Sequence, residues 1–574
     1  MERGYGKMQR LILNLTLGLV LVAVAACSGG GDKAPAQPAT STPPPARATS
    51  PAIAPELKGP AQTGSSDAAE HPKGGSLRLL WSDPPTLDPA LVTDTTSAGI
   101  IVEAFNGLVS LNTDLQIVPE LAESWTITGG GTVYEFKLRK DIKFSDGSPV
   151  TASDFKYSFE RAALPATESP VAEIYLGDIV GVKEIIEGRG RVTEARGVEA
   201  VDERTLRLTI DSPKAYFLAK LTYPTAYVVN KKNVTTGGAS WANQPVSSGP
   251  FVISEYKVGQ RMTLTRNDNY WGRKPYLDRI VLNLAGGQAM AMYENDEVDL
   301  TGVGLADLER VQDPTEPLNK DLVTIPPRFS VSYIGFHMTK PPFDDPKFRQ
   351  ALNYAVNKEL IAEQVYSNLV IPAYGIIPPN FPGFSDRTAG LKFDPDKAKQ
   401  LLAESKYADK ATRPRIIVTI PGTGGSPGLD IEVVADMWKR VLDIDIEIQQ
   451  VEWATYLQDL NRQRLQAWGG LGWEADYPDP QDFIDILFYS ESPGNHGSYK
   501  NDLVNRNVLA ARTEQDVAKR TQLYNESEQK ILDEAAWLPL WFDTASKALL
   551  KPWVKNYKFT PIIVPKYKDV YIQK

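Results

Sequence analysis

Only one cysteine, Cys27, occurs in the 574 residues, which excludes any intrachain disulfide. Histidine is nearly as scarce, with His71, His337 and His496 alone. The chain also lacks a His-Glu-x-x-His helix, a Gly-x-Ser-x-Gly turn and a phosphate-cradling loop ending in Gly-Lys-Ser/Thr. No dedicated metal site, cofactor or nucleophile elbow is therefore expected. Excess positive charge is missing too: the formal net charge is -9, and it becomes -11 without residues 1–26, where Arg3, Lys7 and Arg10 outnumber Glu2. An acidic surface of this kind argues against nucleic acid as a partner. The apolar run "LILNLTLGLVLVAVAA" at residues 11–26 is short for a membrane span.

That run follows three basic residues and reads as an export signal. It ends in small residues, Ala25 and Ala26, directly before Cys27, with Val24 three places upstream. This ending resembles the bacterial lipobox, in which the cysteine is lipidated and becomes the mature N-terminus. Lipidation of Cys27 would anchor the protein at the outer face of a cell membrane, on the periplasmic or extracellular side, given two or more acyl chains. Residues 27–73 are built mainly from Ser, Gly, Ala, Pro and Thr and cannot bury a core, so a disordered tether is expected there. The folded body is expected to begin near Gly74.

At this length the body needs more than one core. "GGSLRLLWS" reads as a strand, and "SAGIIVEAFNGLVSL" as a helix leading out of it. Alternation in "TVYEFKLRKDIKFSDG" predicts antiparallel strands joined by Asp146-Gly147. "RIIVTI", a helix with Ile431, Val434, Ala435, Trp438 and Leu442 on one face, and "DIDIEIQQVEW" predict a strand–helix–strand crossover. Asp345-Pro346 and Asp394-Pro395 are helix starts, with aspartate as N-cap and proline first in the helix. The fold class is mixed α/β.

The stretch "GWEADYPDPQDFIDILF", residues 472–488, concentrates five carboxylates among large apolar side chains. Asp479-Pro480 reads as another helix start, and Asp482 favours the positive end of the helix dipole. Phe483, Ile484, Leu487 and Phe488 form the buried face, which places Asp485 toward solvent. Glu474 and Asp476 precede the helix and are left without a local role. The acid spacing does not fit a calcium loop. A glycosidase-type pair of Glu474 and Asp476 stays open at this point.

The chain from Gly74 to Lys574 resembles the large peptide-binding proteins of bacterial ABC importers, family 5 of the solute-binding proteins. The blocks that carry this are "TLDP" (86–89), "VPELAESW" (118–125), "FSDGSPVTASDFKYSFER" (144–161), "SSGPFVISEY" (247–256), "LTRNDNYWG" (264–272), "PPFDDPKFRQALNYAVNK" (341–358), "GWEADYPDP" (472–480) and "LKPWVKNY" (550–557). The resemblance implies a type II periplasmic-binding-protein-like fold, with two lobes around a cleft and an additional inserted domain. Its implied boundaries are 74–112, 226–325 and 541–574 for lobe I, 113–225 for the inserted domain II and 326–540 for lobe III. It further implies a monomer that binds an extended oligopeptide between the lobes by strand addition, delivers it to ABC permease subunits and catalyses nothing.

By the same resemblance Asp476 would pair with the peptide α-amino group. Gly472 and Glu474 would offer backbone groups to the ligand, as would Thr93 and Thr95 from the opposite lobe. Trp473, Trp453 and Trp541 would be pocket walls, or else plain core. One place departs from the family: Gly470 stands where some oligopeptide binders carry a cation for the peptide carboxylate. Two other readings remain at this level. The same fold could take nickel, haem, glutathione or an oligosaccharide, or the protein could be a surface-anchored hydrolase using Glu474 and Asp476.

Overall fold

A computed structural model describes residues 57–58, 71–188 and 190–574; the export signal and Cys27 lie outside the described residues. Among the described residues three larger sheets organise the chain. The seven-stranded sheet runs in the order Leu322–Ile325, Ser546–Leu550, Leu300–Gly302, Ser76–Leu80, Arg279–Asn283, Arg261–Arg266, Phe251–Lys257. Ser76–Leu80, the predicted first strand, is parallel to Arg279–Asn283, and its Leu77 and Leu79 are buried. The helix that follows, Thr95–Ala104, is capped by Asp94, whose Oδ1 accepts the Ser97 N–H at 2.9 Å.

The antiparallel sheet of five strands is built from Ala122–Thr128, Val133–Leu138, Thr205–Thr209 and Val198–Asp202, with Leu57–Lys58 at its edge. Leu57 pairs with Ile127 and Lys58 with Thr126. The tether expected over 27–73 therefore includes two residues docked as a strand. An edge strand has free backbone donors and acceptors, and even a sequence without a core of its own can satisfy them. The Asp146-Gly147 turn forms, but it joins only the isolated bridge between Lys143 and Pro149, not two long strands.

The six-stranded sheet runs Val370–Pro372, Trp537–Asp543, Ser330–Phe336, Ala467–Glu474, Ile417–Pro421, Glu447–Val451. Its last two strands are parallel and connected by the helix Leu429–Leu442, the expected crossover. Trp438 anchors that helix: it is fully buried and donates its indole N–H to Leu352 O at 2.9 Å. Both Asp-Pro starts hold, with Asp345 accepting from Lys347 N and Asp394 from Lys397 N, each at 2.9 Å. Trp541, placed by resemblance in lobe I, lies inside Trp537–Asp543 and pairs with Ser332 and Pro372. The chain returns to the seven-stranded sheet only at Ser546, so the boundary expected at 541 falls inside a strand of the other body.

The acidic stretch departs from expectation in two respects. The helix spans Gln481–Phe488, one residue later than the Asp-Pro signal suggests, because Asp479 is drawn into an ion pair with Arg520 while its Oδ1 accepts the Gln481 N–H at 2.9 Å. Asp485 does not face solvent: it is 1 % exposed. Both long helices Asp502–Thr513 and Val517–Asp533 pack on this short one, and no side of it is left for water. Arg512 compensates the buried charge with two hydrogen bonds, of 2.8 and 2.7 Å. Removing one partner of such a pair strands the other in a dry site, at a cost of about 3–5 kcal/mol. Arg512→Ala is thus expected to lower the unfolding free energy by that amount in urea titration. Arg440→Ala, which breaks an exposed pair with Asp436, should cost at most about 1 kcal/mol. Equal losses in the two variants would contradict the burial of Asp485.

Candidate ligand-binding site

A cavity of about 420 Å³ opens where the three bodies meet. One wall is the end of the strand Ala467–Glu474 with Ala475 and Asp476, flanked by Trp453 on the helix Trp453–Asn461. A second wall is Thr93, Asp94 and Thr95 at the start of the helix Thr95–Ala104, with Ile563, Val564 and Pro565. The third comes from the segment holding the antiparallel sheet: Val171, Ile174 and Tyr175, with Thr222 and Tyr223.

The strand wall has a hydrogen-bonding peculiarity. Ala467 and Trp468 are paired on both sides, with Phe336 and Gly335 on one and with Val418 and Thr419 on the other. Leu471 to Glu474 continue to pair with Tyr333 to Ser330, yet no described strand pairs with their second edge, which borders the cavity. The change falls at a bulge where Gly470 adopts φ +70°, a left-handed conformation that suits glycine. A Cβ at Gly470 would stand 3.1 Å from Pro421 Cδ and 3.3 Å from Ile420 Cβ. The place where a carboxylate-binding cation was sought is thus one that disfavours any side chain.

Asp476 follows this strand. Its N–H donates to Asp482 Oδ2 at 2.9 Å, which fixes the turn, and its Oδ2 accepts the hydroxyl of Tyr175. Tyr175 is itself held by stacking on Tyr223, with ring centroids 3.7 Å apart. Burial pushes the Asp476 carboxyl up; the Tyr175 hydroxyl opposes this and the Glu474 charge adds to it. Asp482 is pushed up as well, first by burial and then by Asp476. Glu474 is raised by burial, against the pull of Arg328, with which it forms an ion pair. Asp543 completes this end of the cavity and accepts the Ser330 hydroxyl at 2.9 Å. The carboxylates Asp94, Glu474, Asp476 and Asp543 line the cavity, and among the described residues that line it the arginine or lysine is Arg328, already engaged by Glu474, with Lys566 behind the wall also drawing on Glu474. Such a site can hold a positively charged group and pair an extended backbone alongside it.

Seven of the residues singled out from sequence line this cavity: Thr93, Thr95, Trp453, Gly472, Trp473, Glu474 and Asp476. Trp541 does not; it packs on Tyr366 inside the core of the six-stranded body, with ring centroids 4.8 Å apart. Its strand position explains this, since its neighbours Leu540 and Phe542 are buried too. Asp94, Tyr175, Tyr223 and Arg328 escaped the sequence reading. Asp94 carried a signal, as an aspartate directly before a helix beside Thr93 and Thr95. Tyr175 carried none, because its contact spans 301 positions of sequence.

Comparison with known proteins gives a consistent picture. Residues 116–495 match the family described as "Bacterial extracellular solute-binding proteins, family 5 Middle". The periplasmic oligopeptide-binding protein OppA of Escherichia coli (strain K12) is 30% identical over 85% of this chain and 92% of its own. The probable deoxycholate-binding periplasmic protein YgiS of the same organism is 32% identical over 86% and 92%. Among solved structures, the E. coli murein tripeptide binding protein MppA superposes with a TM-score of 0.79 at 27% identity, covering 88% of this chain and 99% of its own. The unliganded open form of MppA gives 0.61 over 88% and 98%. The fold is therefore the expected α/β, type II periplasmic-binding-protein-like architecture, two lobes around a cleft with an inserted domain, and the chain belongs to family 5 of the bacterial extracellular solute-binding proteins.

Proposed function

We propose that this protein is the substrate-binding lipoprotein of an ABC importer, capturing oligopeptides in the cavity and presenting the closed complex to the permease. The carrying observation is the one-sided strand edge at Leu471–Glu474 that ends on the buried carboxylate of Asp476. A peptide backbone would extend the sheet along that edge while its α-ammonium pairs with Asp476. Thr93 and Thr95 would meet it from the other side, and Trp473 and Trp453 would wall its side chains. We assign lobe I to the seven-stranded sheet, the inserted domain to the antiparallel sheet and the second lobe to the six-stranded sheet, with the return crossing moved from 541 to near Ser546.

The YgiS relative prompts a second ligand class, but deoxycholate is an anion and this cavity is lined by carboxylates. The engagement of Glu474 by Arg328 and of Asp476 by Tyr175 likewise supports a binding role over a hydrolytic one.

Three outcomes are expected. Cys27→Ala should release the exported protein from the membrane fraction; unchanged partitioning with membranes would rule out the lipid anchor. Closure of the lobes on peptide should reduce the radius of gyration in small-angle scattering of protein stripped of endogenous ligand by unfolding and refolding. No change at saturating peptide would refute closure.

The third outcome concerns Asp476. Asp476→Asn should weaken binding of a free-amine peptide about tenfold to hundredfold, the contribution of a charge-assisted hydrogen bond of roughly 1.5–3 kcal/mol. Acetylating the peptide should cost a similar factor, and both changes together clearly less than the sum. Pairing needs Asp476 ionised and burial has raised its pKa, so wild-type affinity should fall as the pH drops through the raised value. That dependence should be reduced in Asp476→Asn, with what is left coming from the other raised carboxyls, Glu474, Asp482 and Asp94. Calorimetric titration that shows equal affinity for free and acetylated peptides would refute the assignment, with Glu474→Gln as the control.

A further inference from the structure

Asp94 does more than cap its helix. One carboxylate oxygen, Oδ1, accepts the Ser97 N–H at 2.9 Å. The other, Oδ2, is buried and has no hydrogen-bond partner among the described residues. A cap needs a single acceptor, and asparagine or serine would supply it as well. A second, desolvated oxygen costs free energy unless a partner arrives from outside the chain. Burial pushes the Asp94 carboxyl up, and hydrogen bonding from Ser97, then Thr96 and last the Trp453 side chain pulls it only part of the way back. Asp94 and Trp453 both line the cavity, on different walls.

The charge balance points the same way. With Arg328 committed to Glu474, an α-ammonium at Asp476 leaves the cavity still acidic. Tyr175, which bonds Asp476, stacks on Tyr223 with centroids 3.7 Å apart, and the Tyr223 hydroxyl donates to Val92 O at 2.8 Å, two residues before Asp94. A cation at Asp94 would therefore lie close to the ligand's amino end.

We propose that Asp94 forms a second cation subsite, which takes a lysine or arginine side chain from one of the first two residues of the peptide. This rests on the reading of the cavity as a peptide site anchored at Asp476. The protein then selects basic peptides by pairing a charge that its own chain leaves uncompensated.

The test uses tetra-alanine peptides carrying either lysine or norleucine at position 1 or 2, titrated calorimetrically into the ligand-stripped full chain. Norleucine keeps most of the aliphatic stem and lacks the charge. At one of the two positions lysine is expected to bind about tenfold or more tightly than norleucine. Asp94→Asn, which preserves the cap, should bring that ratio close to one. Equal binding of lysine and norleucine peptides by the wild type would overturn the subsite and leave the peptide reading standing. A lysine preference that survives in Asp94→Asn would overturn the assignment to Asp94. If no peptide of the series binds the wild type, the peptide reading fails, and the subsite with it.

Discussion

Every backbone N–H and C=O that leaves water must find a partner, and the strand Ala467–Glu474 meets that demand on both edges for only part of its length. From Leu471 onward one edge is committed to Ser330–Tyr333 and the other faces the cavity. Open strand edges on a surface invite pairing with any other chain. Here the edge is enclosed by walls from two other bodies, so access is limited to what fits the cavity. The bulge at Gly470 sets where double pairing ends.

The electrostatics follow from the same enclosure. Buried carboxylates are driven toward their neutral forms, and Asp94, Glu474 and Asp476 are all shifted in that direction chiefly by burial. A neutral donor from another body, the Tyr175 hydroxyl, holds Asp476 in place without cancelling its charge. Arg328 does cancel the charge of Glu474. The walls thus hold one acid paired with a cation of the chain and others that are not, and under the proposed function this difference would give chemical selectivity to a fold that does not by itself fix its ligand. It also separates the acids of the 472–488 stretch by role: Asp479 and Asp485 are spent on Arg520 and Arg512, Asp482 supports the turn, and Asp476 faces the ligand space.

Local signals alone determined much of this chain. Period-two and period-3.6 patterns marked the first strand and the Leu429–Leu442 crossover, and Asp-Pro pairs marked two helix starts, because these depend on neighbours within a few residues. The ordered motif blocks pointed to the family, and the resemblance they carry pointed to seven of the cavity residues, four of them inside the block at 472–480. Tertiary structure decided what depends on partners far away in sequence. Asp485 was assigned to solvent by its helical face and is buried because two later helices cover it; Trp541 became core because its strand lies inside the six-stranded sheet. Two residues of a core-less segment found a sheet edge at Ala122–Thr128. The Tyr175 contact to Asp476 and the free oxygen of Asp94 belong to the same class. Burial and charge compensation are properties of the assembled cavity, and no window of sequence contains all the groups that set them.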